Sequence, residues 1–308
     1  MSEQPVALVA GATRGCGRAL AVELARAGHH VYATGRSSRA SGPSEIGRPE
    51  TIEDTGDRIA EVGTGTALVV DHEDPDAVAA LVARIRADHG RLDVLVNDIF
   101  GGDRYADWEH PLWEHDLAGG LRMLRMGVDT HLVTSHHAIP LVLETAAAHG
   151  SQGLVIEVTD GTAEFNAAFR QGVGFYYDLV KANVSRIVLG LTHELRDRPV
   201  SAMAVTPGWL RSEHMLENFG VTEETWRDAL VKVPGFAISE SPTYLGRGVA
   251  ALATAGDGAR WAGQTVTSRQ LADAYDVTDT DGSKPDCWSY IRDHGIDRQD
   301  GGEVDAYR

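Results

Sequence analysis

Two cysteines in 308 residues, Cys16 and Cys287, are too few and too far apart for a disulfide framework. Neither lies in a CxxC or Cys/His spacing that would hold zinc, and a reducing compartment suits such usage. Long hydrophobic runs are also missing. Runs such as those at residues 6–10 and 249–253 fall far short of the roughly 20 apolar residues that cross a bilayer. No charged leader with an apolar stretch precedes Val6, so no secretory signal is expected and the expected location is the cytoplasm. Basic residues are in deficit. With 28 Lys and Arg against 45 Asp and Glu, the formal net charge of −17 repels nucleic acid and anionic lipid surfaces. Internal repeats and low-complexity segments are absent.

What remains is the composition of an ordinary globular chain, 43% hydrophobic and 24% charged. Short apolar, β-branched runs at residues 6–10, 31–34, 67–70, 94–96, 154–158, 202–205 and 265–267 read as strands buried on both faces. Between them, 18–27, 76–88, 121–148, 177–195 and 243–254 carry helical spacing. Strand and helix alternate throughout. This predicts a single-domain α/β fold of Rossmann type, a doubly wound parallel sheet with helices on both faces. Asp74-Pro75 marks a helix start, and Gly28 and Gly90 mark helix ends.

Two stretches break the rhythm. Residues 37–63 predict a loop and a short acidic helix, and 99–120, with Trp108 and Trp113, predict a wall of the site beyond the strand ends. Residues 1–270 are expected to form the catalytic domain. Residues 271–308 are expected to be an acidic extension, with Asp273, Asp276, Asp279, Asp281, Asp286, Asp293, Asp297, Asp300, Glu303 and Asp305. Its Trp288, Tyr290 and Ile291 would dock on the body or on a neighbouring subunit.

Strand one runs into Gly11-Ala12-Thr13-Arg14-Gly15-Cys16-Gly17 and then a helix. A glycine at 11 permits a tight turn, and Gly15 and Gly17 let backbone approach a pyrophosphate lying on the helix amino terminus. Cofactor choice turns on the end of strand two, Thr34-Gly35-Arg36-Ser37-Ser38. No acid is there to accept bonds from the ribose hydroxyls of NAD, whereas Arg36 and Arg14 could clamp a 2′-phosphate. The expected cofactor is NADP(H).

Tyr177 and Lys181 stand one helical turn apart, so they share a face. An ammonium beside a phenol lowers its pKa toward the range useful for proton transfer. His131, His136, His137 and His149 lie on one predicted helix with no carboxylate cluster, and read as surface or interface residues; no metal site is expected. Trp108, Trp113, Phe165, Phe169, Phe175, Trp209, Met215 and Trp226 flank the predicted site and suggest an apolar or aromatic substrate.

Taken in order, the chain resembles the short-chain dehydrogenase/reductase family from Val6 to about Ser268. The glycine turn matches its TGxxxGxG, with Ala10 for the leading Thr. Asp71-His72 stands where the family's adenine-contacting Asp lies, and Asn97 matches the first residue of its NNAG, although Asp98-Ile99-Phe100-Gly101 departs from it. Tyr177 and Lys181 match its YxxxK; Pro207-Gly208-Trp209-Leu210-Arg211-Ser212 resembles its PGxVxT. The resemblance implies a cofactor site along these segments, Tyr177 as proton donor to a carbonyl and Lys181 on the nicotinamide ribose. It also implies a dimer or tetramer built through the helices at 121–148 and 177–195. Two positions depart. Asp160 takes the place of the family's Ser, so that a reductase needs Asp160 protonated, turned away, or replaced functionally by the Thr159 hydroxyl. Gly127 aligns with the Asn thought to position a water of the proton relay.

The reading is an NADPH-dependent ketoreductase-type enzyme interconverting a carbonyl and an alcohol. A dehydratase or cyclase using Tyr177 and Asp160, or an NADP(H)-binding regulator, stands as the alternative.

Overall fold

A computed structural model describes residues 4–170, 172–295 and 300–308. Seven strands form one parallel sheet: β1 (Val6–Ala10), β2 (His30–Gly35), β3 (Thr64–Val69), β4 (Val94–Asn97), β5 (Gly153–Val158), β6 (Val200–Thr206) and β7 (Thr265–Thr267). Their order is β3-β2-β1-β4-β5-β6-β7, with Ala10 paired to both Thr34 and Asn97. The chain therefore reverses its winding between β1 and β4. In such sheets that switch point opens a crevice at the carboxyl ends of the strands.

Alternation along β1 sorts the core. Ala7 and Val9 face one helical layer with Leu20, Leu24, Val249 and Leu252, while Val6 and Leu8 face the other with Val78, Ile85, Leu141 and Val142. The helices are α1 (Gly15–Arg26), α2 (Ile52–Ala60), α3 (Pro75–His89), α4 (Leu117–Leu124), α5 (Thr130–His149), α6 (Ala163–Asn166), α7 (Phe175–Leu195), α8 (Glu213–Phe219), α9 (Pro242–Ala255), α10 (Ser268–Tyr275) and α11 (Cys287–His294). Asp74 caps α3 through the Asp76 and Ala77 amides, and Gly90 closes it at φ 70°.

Three sequence expectations need correction. The strand expected at 67–70 begins at Thr64, because an edge strand pairs on one side only and need not be apolar throughout. The single helix expected at 121–148 begins at Leu117 and passes through a π-helical stretch, Arg125–Asp129, before α5. Within that stretch a Cβ on Gly127 would come 2.5 Å from Val180 Cγ1, so glycine lets the stretch approach α7 closely. Thirdly, His131 is no surface histidine. It is 2% exposed, with Nδ1 2.5 Å from the Glu157 carboxylate and Nε2 3.0 Å from the Ile99 carbonyl oxygen.

Helix α11 lies against the segment that leaves the carboxyl end of β6. The Trp288 indole donates to the Pro207 carbonyl at 2.8 Å, and the Trp209 amide donates to Cys287 Sγ at 3.3 Å. Buried Arg211 binds Glu223 at 2.8 Å and Asp279 at 2.9 Å. Helix α10 itself runs across residue 270. Asp297 of the acidic tail lies outside the described residues.

Candidate active site

A cleft of about 400 Å³ opens at the switch point. Its floor is the turn from β1 to α1. Gly11 has φ 88°, and a Cβ there would stand 2.2 Å from the Asp98 carbonyl oxygen, so only glycine lets β1 exit this close to β4. Gly17 lies back from the cleft, where a Cβ would meet the Gly11 carbonyl oxygen at 2.3 Å. Thr13, Arg14, Gly15 and Cys16 line the opening. This is a cradle shaped for close approach of a pyrophosphate. A carboxylate already meets it: Glu213 accepts from the Gly15 amide at 2.9 Å and from Arg18 at 3.2 Å.

Arg36 and Ser37 line the neighbouring end of the cleft, beyond β2. Arg36 is held by Glu45 and Glu73, each at 3.1 Å. Arg122 binds the same two carboxylates, which makes the four-residue cluster neutral as it stands. A 2′-phosphate would therefore compete with Glu45 and Glu73 for Arg36. Arg14 is less engaged, 3.7 Å from Asp103.

Asp71 lines this end too, with its carboxylate accepting from the Glu73 amide at 3.0 Å. His72 lines the cleft but is nearly buried, bridging Thr34 and Thr134 at 2.7 Å on each ring nitrogen. Burial lowers its pKa to about 3 and keeps it neutral, so it ties β2 to α5. Asn97 lies beneath the cleft and is fully buried. Its amide donates to Ser135 at 3.0 Å and to Glu157 at 2.9 Å, which joins β4, β5 and α5. Pro207, Gly208, Trp209, Leu210 and Ser212 form the opposite wall, and Ser212 also caps α8 through the Met215 amide.

The reactive end is carried by α7. Tyr177 Oη donates to Asp160 Oδ2 at 2.9 Å. Its ring lies 5.0 Å from Trp108 and 5.8 Å, edge to face, from Phe100. One turn along, Lys181 Nζ sits 3.8 Å over the Phe100 ring and 5.5 Å from the Tyr177 ring. Thr159 turns away. Its hydroxyl donates to the Lys181 carbonyl at 2.8 Å, so Asp160 is the residue that meets the phenol. Gly127 brings no side chain and is covered by Val180 and Phe100.

The lowered phenol pKa expected beside Lys181 is outweighed in the chain by itself. Burial first, and the Asp160 carboxylate second, hold Tyr177 well above its ordinary value.

Sequence reading missed two residues here. Arg170, 7% exposed, reaches Asp160 at 3.4 Å and Asp178 at 3.2 Å. Glu157, fully buried in β5, bonds His131, Asn97 and Ser135. A signal for Glu157 existed: a lone acid within an apolar strand demands a buried partner. The strand pattern does not say which.

A doubly wound sheet with a glycine cradle at its switch point, and a Tyr-Lys pair on the adjoining helix, places the chain among the dinucleotide-binding oxidoreductases. The short chain dehydrogenase model matches residues 5–221, and the chain belongs to that family. The mouse dehydrogenase/reductase SDR family member 1 is 31% identical over 291 residues, covering 90% of this chain and 83% of that protein. A short-chain dehydrogenase from Mycobacterium thermoresistibile superposes with a TM-score of 0.71 at 20% identity, covering 92% of this chain and 94% of the other. A metagenomic short-chain oxidoreductase in complex with NADP reaches 0.59 at 21% identity, over 81% of this chain and 90% of its own.

Proposed function

We propose that the chain is an NADP(H)-dependent oxidoreductase that interconverts a carbonyl and an alcohol, with Tyr177 as acid/base and Lys181 as its electrostatic partner. The carrying observation is the placement of the Tyr177 hydroxyl in the cleft that begins at the glycine cradle, with the Lys181 ammonium one turn away. The bound nicotinamide would supply the hydride chemistry. The protein's part is to hold the dinucleotide along Gly11–Gly15, Pro207 and Ser212, and to exchange a proton at Tyr177 Oη. Phe100, Trp108 and Trp209 around the reactive end favour an apolar or aromatic substrate.

Preference for the phosphorylated cofactor rests on the absence of an acid at Gly35-Arg36 and on the cluster of Arg14, Arg36 and Arg48 along that end of the cleft. Among related folds, one oxidoreductase holds NADP and an actinorhodin polyketide ketoreductase holds NADPH. We place the protein in the cytoplasm, acting as a homo-oligomer on a small molecule.

Tyr177→Phe tests the assignment. Turnover on ketones and aldehydes, followed by NADPH absorbance, should fall by about 10²- to 10⁴-fold, the usual contribution of a general acid or base, while NADPH affinity stays unchanged. Retained turnover would remove Tyr177 from the chemistry. The Tyr177 to Asp160 bond also suits a proton transfer without redox chemistry, as in a dehydratase or cyclase. Product formed with no change in cofactor absorbance would favour that second reading.

A further inference from the structure

Asp160 poses a charge problem. A carboxylate where a substrate oxygen gains negative charge opposes reduction unless a cation compensates it or a proton neutralises it. The chain provides a cation. Arg170 Nη1 reaches the same Asp160 Oδ2 that accepts from Tyr177, at 3.4 Å, while Arg170 Nε and its backbone amide bind Asp178 Oδ1 at 3.2 and 3.3 Å. Asp178 follows Tyr177 on α7 and is itself buried, so Arg170 is anchored on the helix that carries the phenol.

A phenol has one proton. Donated to Asp160, it leaves the oxygen's lone pairs free to accept, which suits an approaching alcohol hydroxyl. The other candidates for this task are spent or missing. Thr159 donates to the Lys181 carbonyl, and Gly127 has no side chain.

We propose that Asp160 is the proton acceptor of Tyr177 during alcohol oxidation, and that Arg170 is the positioning residue that keeps Asp160 aimed at the phenol. The proposal rests on the oxidoreductase reading above. The alcohol O–H breaks and its proton bonds to Tyr177 Oη while the proton already on Oη crosses to Asp160 Oδ2. The carbinol hydrogen leaves with its electron pair to the oxidised nicotinamide, so the C=O forms. Asp160 then returns its proton to water. Reduction is the reverse and starts from protonated Asp160. The charged groups facing Tyr177 are Asp160, Asp103, Arg170 and Lys181, and only Asp160 hydrogen-bonds its hydroxyl among the described residues.

Two readouts on the full chain test this. The first needs neither cofactor nor substrate: tyrosine labelled with ¹³C at the ring carbon bearing oxygen, the Tyr177 signal assigned by its loss in Tyr177→Phe, followed against pH. Asp160→Asn should lower the phenol midpoint by about one pH unit or more, since a negative acceptor is lost, and Arg170→Gln should not lower it. An unchanged midpoint in Asp160→Asn would overturn the proposal.

The second is the pH profile of kcat/KM for alcohol oxidation. Wild type should show an acid limb from Asp160. That limb should vanish in Asp160→Asn and in Asp160→Ser. Arg170→Gln should lower kcat by about tenfold or more with KM little changed, and Arg170→Lys, which also serves if the Gln variant fails to fold, should restore much of it. A limb that persists in Asp160→Asn, or an unchanged kcat in both Arg170 variants, contradicts the assignment. Wild-type protein that turns over no alcohol would instead refute the oxidoreductase reading, and the phenol titration would still decide the Asp160 contact.

Discussion

At the scale of single residues, the cofactor end shows how charge pairing can blunt a sequence motif. Arg36 closes β2 as the sequence indicates, yet Glu45, from a loop whose conformation the sequence does not specify, takes part of its guanidinium at 3.1 Å. Glu45→Gln should release that competition. We expect NADPH affinity to rise by roughly fivefold, about 1 kcal/mol for one partly exposed ion pair, with NADH affinity little changed, as read by titration calorimetry. Equal effects on both cofactors would detach Arg36 from the 2′-phosphate. Gly11, Gly15, Tyr177 and Lys181 were legible because each is a local motif tied to a turn or to helical spacing. Arg170 was not. Its partners Asp160 and Asp178 lie on either side of a loop, and no local pattern links an arginine there to a phenol on α7.

At the scale of elements, β1, β2 and β4 to β7 could be read from their β-branched runs because both their faces are buried, and edge strand β3 only partly so. The π-helical stretch between α4 and α5 could not be read, because no local residue pattern marks it and its Gly127 packs against Val180 and Phe100, which are distant in sequence. The junction of β6 with α10 gives a test of pH dependence. Glu240 is 1% exposed there, accepting from Ser268 Oγ at 2.5 Å, and burial pushes its pKa up to about 8. Between the ordinary carboxylate range and that value the folded chain holds a proton that the unfolded chain has released. Its contribution to stability is therefore present at low pH and is lost as pH rises toward about 8. Glu240→Gln should remove this loss. The variant's thermal midpoint should gain on wild type between pH 5 and pH 8, with a slope of at most about 1.4 kcal/mol per pH unit. A constant difference across that range would mean that Glu240 stays ionised.

At the scale of the whole molecule, the doubly wound sheet brings together segments that are distant in sequence: the turn after β1, the end of β5, α7 and the Pro207–Ser212 wall, all at one crevice. The fold class was open to sequence because strand and helix alternate; how α11 meets the end of β6 was not, since Trp288 and Cys287 reach it through single contacts. On the outside, Leu117, Leu121 and Leu132 of the α4 to α5 region and Leu189 of α7 are exposed between 44% and 63%. Those apolar faces fit self-association. Light scattering after size exclusion should report a dimer or tetramer, and Leu121→Glu with Leu132→Glu should shift it toward monomer; a monomeric wild type would refute that assembly.

The most direct test of the function is transfer of deuterium. Wild-type protein mixed with NADPH deuterated at the reactive nicotinamide carbon and a panel of aryl and alkyl ketones should place the label on the carbinol carbon of an alcohol product, from one face of the nicotinamide only, and Tyr177→Phe should slow that transfer by about 10²- to 10⁴-fold. Tight cofactor binding with no labelled alcohol across the panel, or product formed without label, would contradict it.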